Sequence, residues 1–146
     1  MMKLYIYEHC PYCTKARMVF GLKNVPVELK YLHNDDEQTP IGLVGVKMLP
    51  ILVDQDGGAI GESLDIVDFI DRHYYPTIIE KKTSHTVDAW LSENSSIIYK
   101  LAMPRWIQAS MPEFETQSAR SYFTEKKEKS LGSFHEHLQL TEQYLQ

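Results

Sequence analysis

Up to about residue 73, short extended runs alternate with helical stripes; beyond it, every periodic stretch is helical. Lys3 to Tyr7 is short and apolar and reads as a buried strand. From Pro11 to Leu22 the spacing of Ala16, Val19 and Phe20 predicts a helix, with Gly21, Asn24 and Pro26 as stop signals. Val27 to Leu32 alternates, which predicts a second strand, parallel to the first through a right-handed crossover. A polar loop, His33 to Glu37, leads to a short helix over Pro40 to Val46, weakened by Gly42 and Gly45. Ile51 to Val53 and Ala59-Ile60 flank the turn Asp54 to Gly58 and form a hairpin. After Glu62-Ser63, the positions Leu64, Ile66, Val67, Phe69 and Ile70 make an apolar stripe opposite Asp65, Asp68, Asp71 and Arg72. The order is β-α-β-α-β-β-α over residues 1–73.

Tyr74 to Lys82 reads as a linker, followed by a helical segment over residues 83–146. Val87, Trp90, Leu91, Ile97, Ile98 and Leu101 share one helical face, which Pro104 ends or bends. A last helix carries Tyr122, Phe123, Leu131, Phe134, Leu138 and Leu145, with a weak point at Gly132. The final residues run on in a helical pattern without a cap, so this all-helical part is expected to be incomplete. Two helices cannot hide so many apolar side chains. Self-association through this segment, or its docking on the first domain with a loose C-terminus, is therefore expected.

Charge and composition narrow the classes. The net charge of −5 argues against nucleic acid as a partner, and no apolar run is long enough for a bilayer. Of 146 residues only two are cysteines, and they lie in one motif, Cys10-Pro11-Tyr12-Cys13. Two thiols cannot staple a secreted framework; no signal peptide is visible, so a cytoplasmic redox pair is expected. A zinc site would need two more ligands from scattered histidines, and His135 and His137 are spaced too closely, so no metal is expected.

The motif sits between a strand and a helix, and that placement has a mechanism. Free N–H groups and the partial positive charge at a helix N-terminus stabilise a thiolate, which should depress the pKa of Cys10. Pro11 suits the first helical position. Cys13, one turn in, should lie close enough to form a disulfide with Cys10. His9 is a candidate for tuning the thiol, while Glu8 opposes it. Arg17 and Lys23 read as surface charges.

This hexapeptide, Glu8 to Cys13, resembles the glutaredoxins, glutathione-dependent oxidoreductases of the thioredoxin fold. Met2 to Tyr7, Lys15 to Met18, Phe20 to Asn24 and Leu101 to Phe123 are together similar to the bacterial glutaredoxin 2 type. That type carries a helical second domain like that of the glutathione transferases. The resemblance implies a thioredoxin-like α/β domain, an incomplete all-α segment, and glutathione as co-substrate. It also implies that Pro50 is the cis-proline facing the cysteines, with the Leu49 backbone offered to glutathione as an added strand. Glu62 and Ser63 would hold the γ-glutamyl end, with Ser63 also the N-cap of its helix, and Tyr12 would line the groove. Disulfide-bonded or glutathionylated proteins would be the partners. Many glutaredoxins have a lysine just before the first cysteine; here Glu8 and His9 stand there. A glutathione transferase and a non-enzymatic redox-sensing module are the rival readings.

Overall fold

The computed structural model describes residues 1–79 and 85–139. The chain divides into two compact units, Met1–Ile79 and Glu80–Gln146.

The first unit is built on four strands: β1 Lys3–Ile6, β2 Glu28–Tyr31, β3 Ile51–Val53 and β4 Ala59–Ile60. They lie in the order β2-β1-β3-β4, with β1 and β2 parallel and the other pairs antiparallel. The helices between them are α1 Pro11–Leu22, α2 Gln38–Val44 and α3 Ser63–His73. Leu4, Ile6 and Leu52 from the sheet meet Ala16, Val19 and Phe20 of α1 and Ile66 and Ile70 of α3 in one cluster. Ile51, next to Leu52, is buried outside that cluster, as alternation along a strand requires. Each large side chain fully buried in this way contributes roughly 1.5–3 kcal/mol. Leu64, expected on the apolar face of α3, is exposed; the stripe is narrower than the spacing suggests. The second helix starts two residues before Pro40, where Asp36 accepts bonds from both N–H and hydroxyl of Thr39, and ends at Gly45, whose φ of +79° suits glycine.

Lys23 is not the surface charge its sequence context suggests. Its side chain is fully buried, 2.7 Å from Asp71 Oδ1, and it also donates to the carbonyls of Asp71, Tyr74 and Pro76. The Asp71 carboxylate in turn accepts from the N–H groups of Ile78 and Ile79 at 2.9 and 3.1 Å. A buried charge is tolerated only when paired and hydrogen-bonded, and here both partners are. The end of α1 is thus fastened to the end of α3 and to residues 74–79, which read as linker in the sequence. Burial pushes the Asp71 carboxyl up, but the Lys23 ammonium and the two N–H donors outweigh it, so it sits below the usual carboxylate range.

The second unit contains α4 His85–Trp106, α5 Gln117–Leu131 and α6 Phe134–Gln139, with a 3₁₀ turn at Pro112–Phe114. Pro104 neither ends nor precedes the end of α4 by much; the helix continues to Trp106. Thr116 caps α5 by accepting from Ala119 N–H at 3.2 Å. At Gly132, with φ +90°, the expected last helix breaks into two. Met103, Phe114, Phe123 and Phe134 form its core, with Phe114 and Phe123 edge to face at 5.0 Å. Val87, Trp90, Ile97 and Ile98 on α4 are exposed. The expected contribution of Leu145 lies outside the described residues, as does any account of the Leu91 side chain.

Two tests follow from these contacts. Leu4→Ala should lower unfolding free energy by about 2–5 kcal/mol in urea denaturation, from the central strand of the core. A folded-state carboxyl pKa depressed below its unfolded value stabilises above the unfolded pKa of about 3.9, and that stability is lost as pH falls through the folded pKa. Asp71→Asn should therefore lower the urea midpoint at neutral pH and flatten its decline in acid. An acid limb unchanged from the parent would contradict the role of this pair.

Candidate functional site

The end of β1 leads through Tyr7, Glu8 and His9 into Cys10, which occupies the N-cap of α1 with extended backbone angles. Pro11 is the first helical residue, as its missing N–H and fixed φ favour. The Cys10 sulfur accepts the Cys13 N–H at 3.4 Å, so the thiol takes the place a serine or aspartate oxygen often fills. Cys10 is partly exposed, whereas Cys13 is fully buried. The Cys13 sulfur accepts the Tyr7 N–H at 3.5 Å. Cys10 thus stands at the outer, accessible position of the pair and Cys13 at the inner one.

By strand register, Leu49, Pro50 and Glu62 lie at the same end of the sheet as the turn into α1. In the β1–β3 register Tyr5 faces Ile51; extending it sets Pro50 level with Ile6 and Leu49 level with Tyr7. In the β3–β4 register Leu52 faces Ile60; extending it sets Glu62 level with Pro50. The Leu49–Pro50 bond is cis, and Pro50 is buried. Cys10 and Leu49 both border the core cluster that contains Cys13. Tyr75–Pro76 is a second cis bond, which no sequence signal indicated.

Ser63 differs from expectation. It is the first residue of α3 and is buried, and the cap position belongs to Glu62, whose side chain makes no capping bond. Glu62 holds φ +59° and ψ 124°, a backbone conformation rare outside glycine that costs on the order of 1–3 kcal/mol. The strain turns the chain sharply from β4 into α3 and leaves the Glu62 side chain exposed beside the uncapped helix end. Tyr12 is about half exposed, with the Lys15 ammonium 5.1 Å from its ring centre. His9 stacks on Tyr7 at 5.5 Å with the rings nearly parallel. Glu8 is bound by Arg17 at 3.0 Å, an ion pair that sequence reasoning missed although both residues flank the motif.

Electrostatics at Cys10 follow from this geometry. A hydrogen bond from the Cys13 thiol does most to favour the thiolate; partial burial opposes it, and the N–H groups of Cys13 and Tyr12 and the nearby His9 add to it. The thiol is lowered from 9.0 to about 6. Glu8 is paired with Arg17, whose own pKa is raised chiefly by that bond. Among the described residues no group of three or more His, Cys, Asp and Glu side chains could hold a metal ion. Thiolate absorbance against pH should give a midpoint near 6 in the reduced chain. Cys13→Ala should raise it more than His9→Ala does, and the reverse order would contradict the assignment of the Cys13 thiol as the main cause.

Comparisons with known proteins cover both units. The family model described as "Glutathione S-transferase, N-terminal domain" matches residues 4–77, and "Glutaredoxin 2, C terminal domain" matches residues 86–146. Glutaredoxin 2 of Escherichia coli strain K12 is 48% identical over 133 residues, which cover 91% of this chain and 62% of that protein. A solved structure of glutaredoxin 2 from Salmonella typhimurium in complex with glutathione aligns with a TM-score of 0.94 at 45% identity. That alignment covers 99% of this chain and 66% of the other. A glutathione S-transferase from Ceriporiopsis subvermispora, at 19% identity and a TM-score of 0.63 over 90% of this chain and 60% of its own, shares the fold. The chain thus spans a little under two thirds of the length of its glutaredoxin relatives. With the cysteine pair capping α1 and both family models matched in order, the chain belongs to the glutaredoxin 2 family.

Proposed function

We propose that this protein is a glutathione-dependent thiol–disulfide oxidoreductase that acts on protein disulfides and on glutathione mixed disulfides. The observation that carries the reading is the Cys10 thiol, ionising at about 6 at the head of α1 with Cys13 directly behind it. At neutral pH Cys10 is then mostly thiolate, the form that attacks disulfide sulfur. Attack on a glutathionylated protein gives a Cys10–glutathione mixed disulfide and frees the protein thiol. A second glutathione, or Cys13 from within, then releases the bound glutathione. When a second glutathione attacks the bound glutathione sulfur, the low Cys10 pKa also makes Cys10 a good leaving thiolate.

In this reading glutathione lies across the end of the sheet described above. The Leu49 backbone beside Pro50 pairs with the peptide, Glu62 and Ser63 take its γ-glutamyl end, and Tyr12 flanks it. Support comes from the uncapped N–H groups at the start of α3, which suit a carboxylate, and from the Salmonella typhimurium relative solved with glutathione. A transferase would use one activating group for glutathione and leave a buried second thiol without a role.

Turnover of a small glutathione mixed disulfide, followed through glutathione reductase, tests the proposal against conjugation of an aryl halide. Cys10→Ser should abolish exchange. Cys13→Ser should keep deglutathionylation and lose reduction of protein disulfides, because only the inner thiol can close the ring. Full activity in Cys10→Ser, or conjugation without exchange, would overturn the reading.

A further inference from the structure

Helices α1 and α3 begin at one end of the sheet and are pinned together at the other. By strand register, β1 delivers Cys10 and β4 delivers Glu62 to the same sheet end. At the far end Lys23 is the C-cap of α1, and Asp71 lies in the last turn of α3. The two are 2.7 Å apart, with both side chains buried. We propose that Lys23 and Asp71 are positioning residues for glutathione: their pairing fixes α3 lengthwise against α1, and so sets where the open start of α3 stands relative to Cys10. The inference rests on the glutathione site proposed above, in which Glu62 and Ser63 take the γ-glutamyl end.

Apolar burial alone holds α3 on the sheet without a sharp preference for its place along its own axis. Ile66 and Ile70 sit among Leu4, Ile6, Leu52 and the apolar side of α1, an attraction with little direction to it. The head of α3 adds no side-chain cap, since Glu62 makes none. Directional bonds lie at its end. The Asp71 carboxylate accepts from Lys23 and from the N–H groups of Ile78 and Ile79 at 2.9 and 3.1 Å. The Asp71 carbonyl also accepts from Lys23, at 2.9 Å, and so do the carbonyls of Tyr74 and Pro76. A buried ion pair is a weak source of stability but a strict device for register, because a slide leaves a charge uncompensated away from water.

The first helix has a second hold of its own. Tyr7 donates its N–H to the Cys13 sulfur, and Glu8 binds Arg17 at 3.0 Å. The N–H donors that favour the Cys10 thiolate also belong to α1. Loss of the buried pair therefore releases α3, while Cys10 keeps its surroundings. At about 1.5 Å of rise per residue, the 11 residues of α3 span about 16 Å, and a rigid helix carries a shift at Asp71 to Ser63.

Turnover of a small glutathione mixed disulfide, with the Cys10 thiolate midpoint read by absorbance, tests the pair in Lys23→Met and, separately, in Asp71→Asn. Each should raise KM by roughly three- to tenfold and leave kcat within about twofold, less than the ~100-fold that a 1 Å misplacement of reacting atoms can cost. The Cys10 midpoint should stay near 6. Asp71→Asn keeps the shape of the side chain, so it carries the comparison where Lys23→Met does not fold. Leu4→Ala weakens the same core without touching the pair and should leave KM at the parent value. An unchanged KM in the pair variants would overturn the inference, as would a KM raised equally by Leu4→Ala or a Cys10 midpoint that moves with KM. Absence of turnover in the unaltered chain would overturn the glutathione reading itself, a separate result.

Discussion

The first unit depends on how α1 is held at its two ends. At its start, backbone N–H groups converge on the Cys10 sulfur and favour its anion. At its end, the buried Lys23 ammonium draws in three carbonyls and the Asp71 carboxylate. Between these fixings, Ala16, Val19 and Phe20 lie on the sheet. The two ends suit the helix field: an anion at the N-terminus, a cation at the C-terminus. A shift of α1 along its axis would break both sets of bonds together, so the position of Cys10 is coupled to a charge pair a helix length away.

Much of this was legible in the sequence because the signals are local. Strand periodicity, the Asp54 to Gly58 turn, and Pro11 behind Cys10 all act over a few residues, and the elements they predict are present. Leu49–Pro50 was legible only through resemblance, since nothing in an isolated proline fixes its isomer. Lys23 was misread because its partners lie about 50 residues on, and a lysine after a helix ordinarily points to water. Ser63 looked like an N-cap because cap preference is strong. Instead Glu62 adopts the unusual backbone angles, and the serine moves one place into the helix. That displacement falls at the candidate glutathione site, where local preference and observed geometry most often part.

The missing lysine before Cys10 shows which forces set the thiol. A shift from 9.0 to about 6 is three units, on the order of 4 kcal/mol in favour of the thiolate. One partly exposed cation would supply only a fraction of that. Short-range donors, the Cys13 thiol first, do most of it, and they come with the Cys-x-x-Cys spacing at any helix start. A lysine is therefore an addition to such a site and not its foundation. Glu8, in the place beside the motif, is paired with Arg17.

In the proposed exchange, the same donors act on both directions. Bonds that favour the Cys10 thiolate stabilise the reduced pair and do nothing for a Cys10 sulfur already in a disulfide. They therefore weaken the disulfide relative to the dithiol, as in oxidoreductases whose reduced form is stabilised. Nucleophilicity also falls as a thiol's pKa falls, so attack is helped by thiolate fraction and hindered by reduced basicity. With a pKa near 6, little thiolate is left to gain at neutral pH, and further lowering would cost reactivity. The placement of Cys10 at the cap, with only partial burial and no added lysine, sits close to the balance between those two effects.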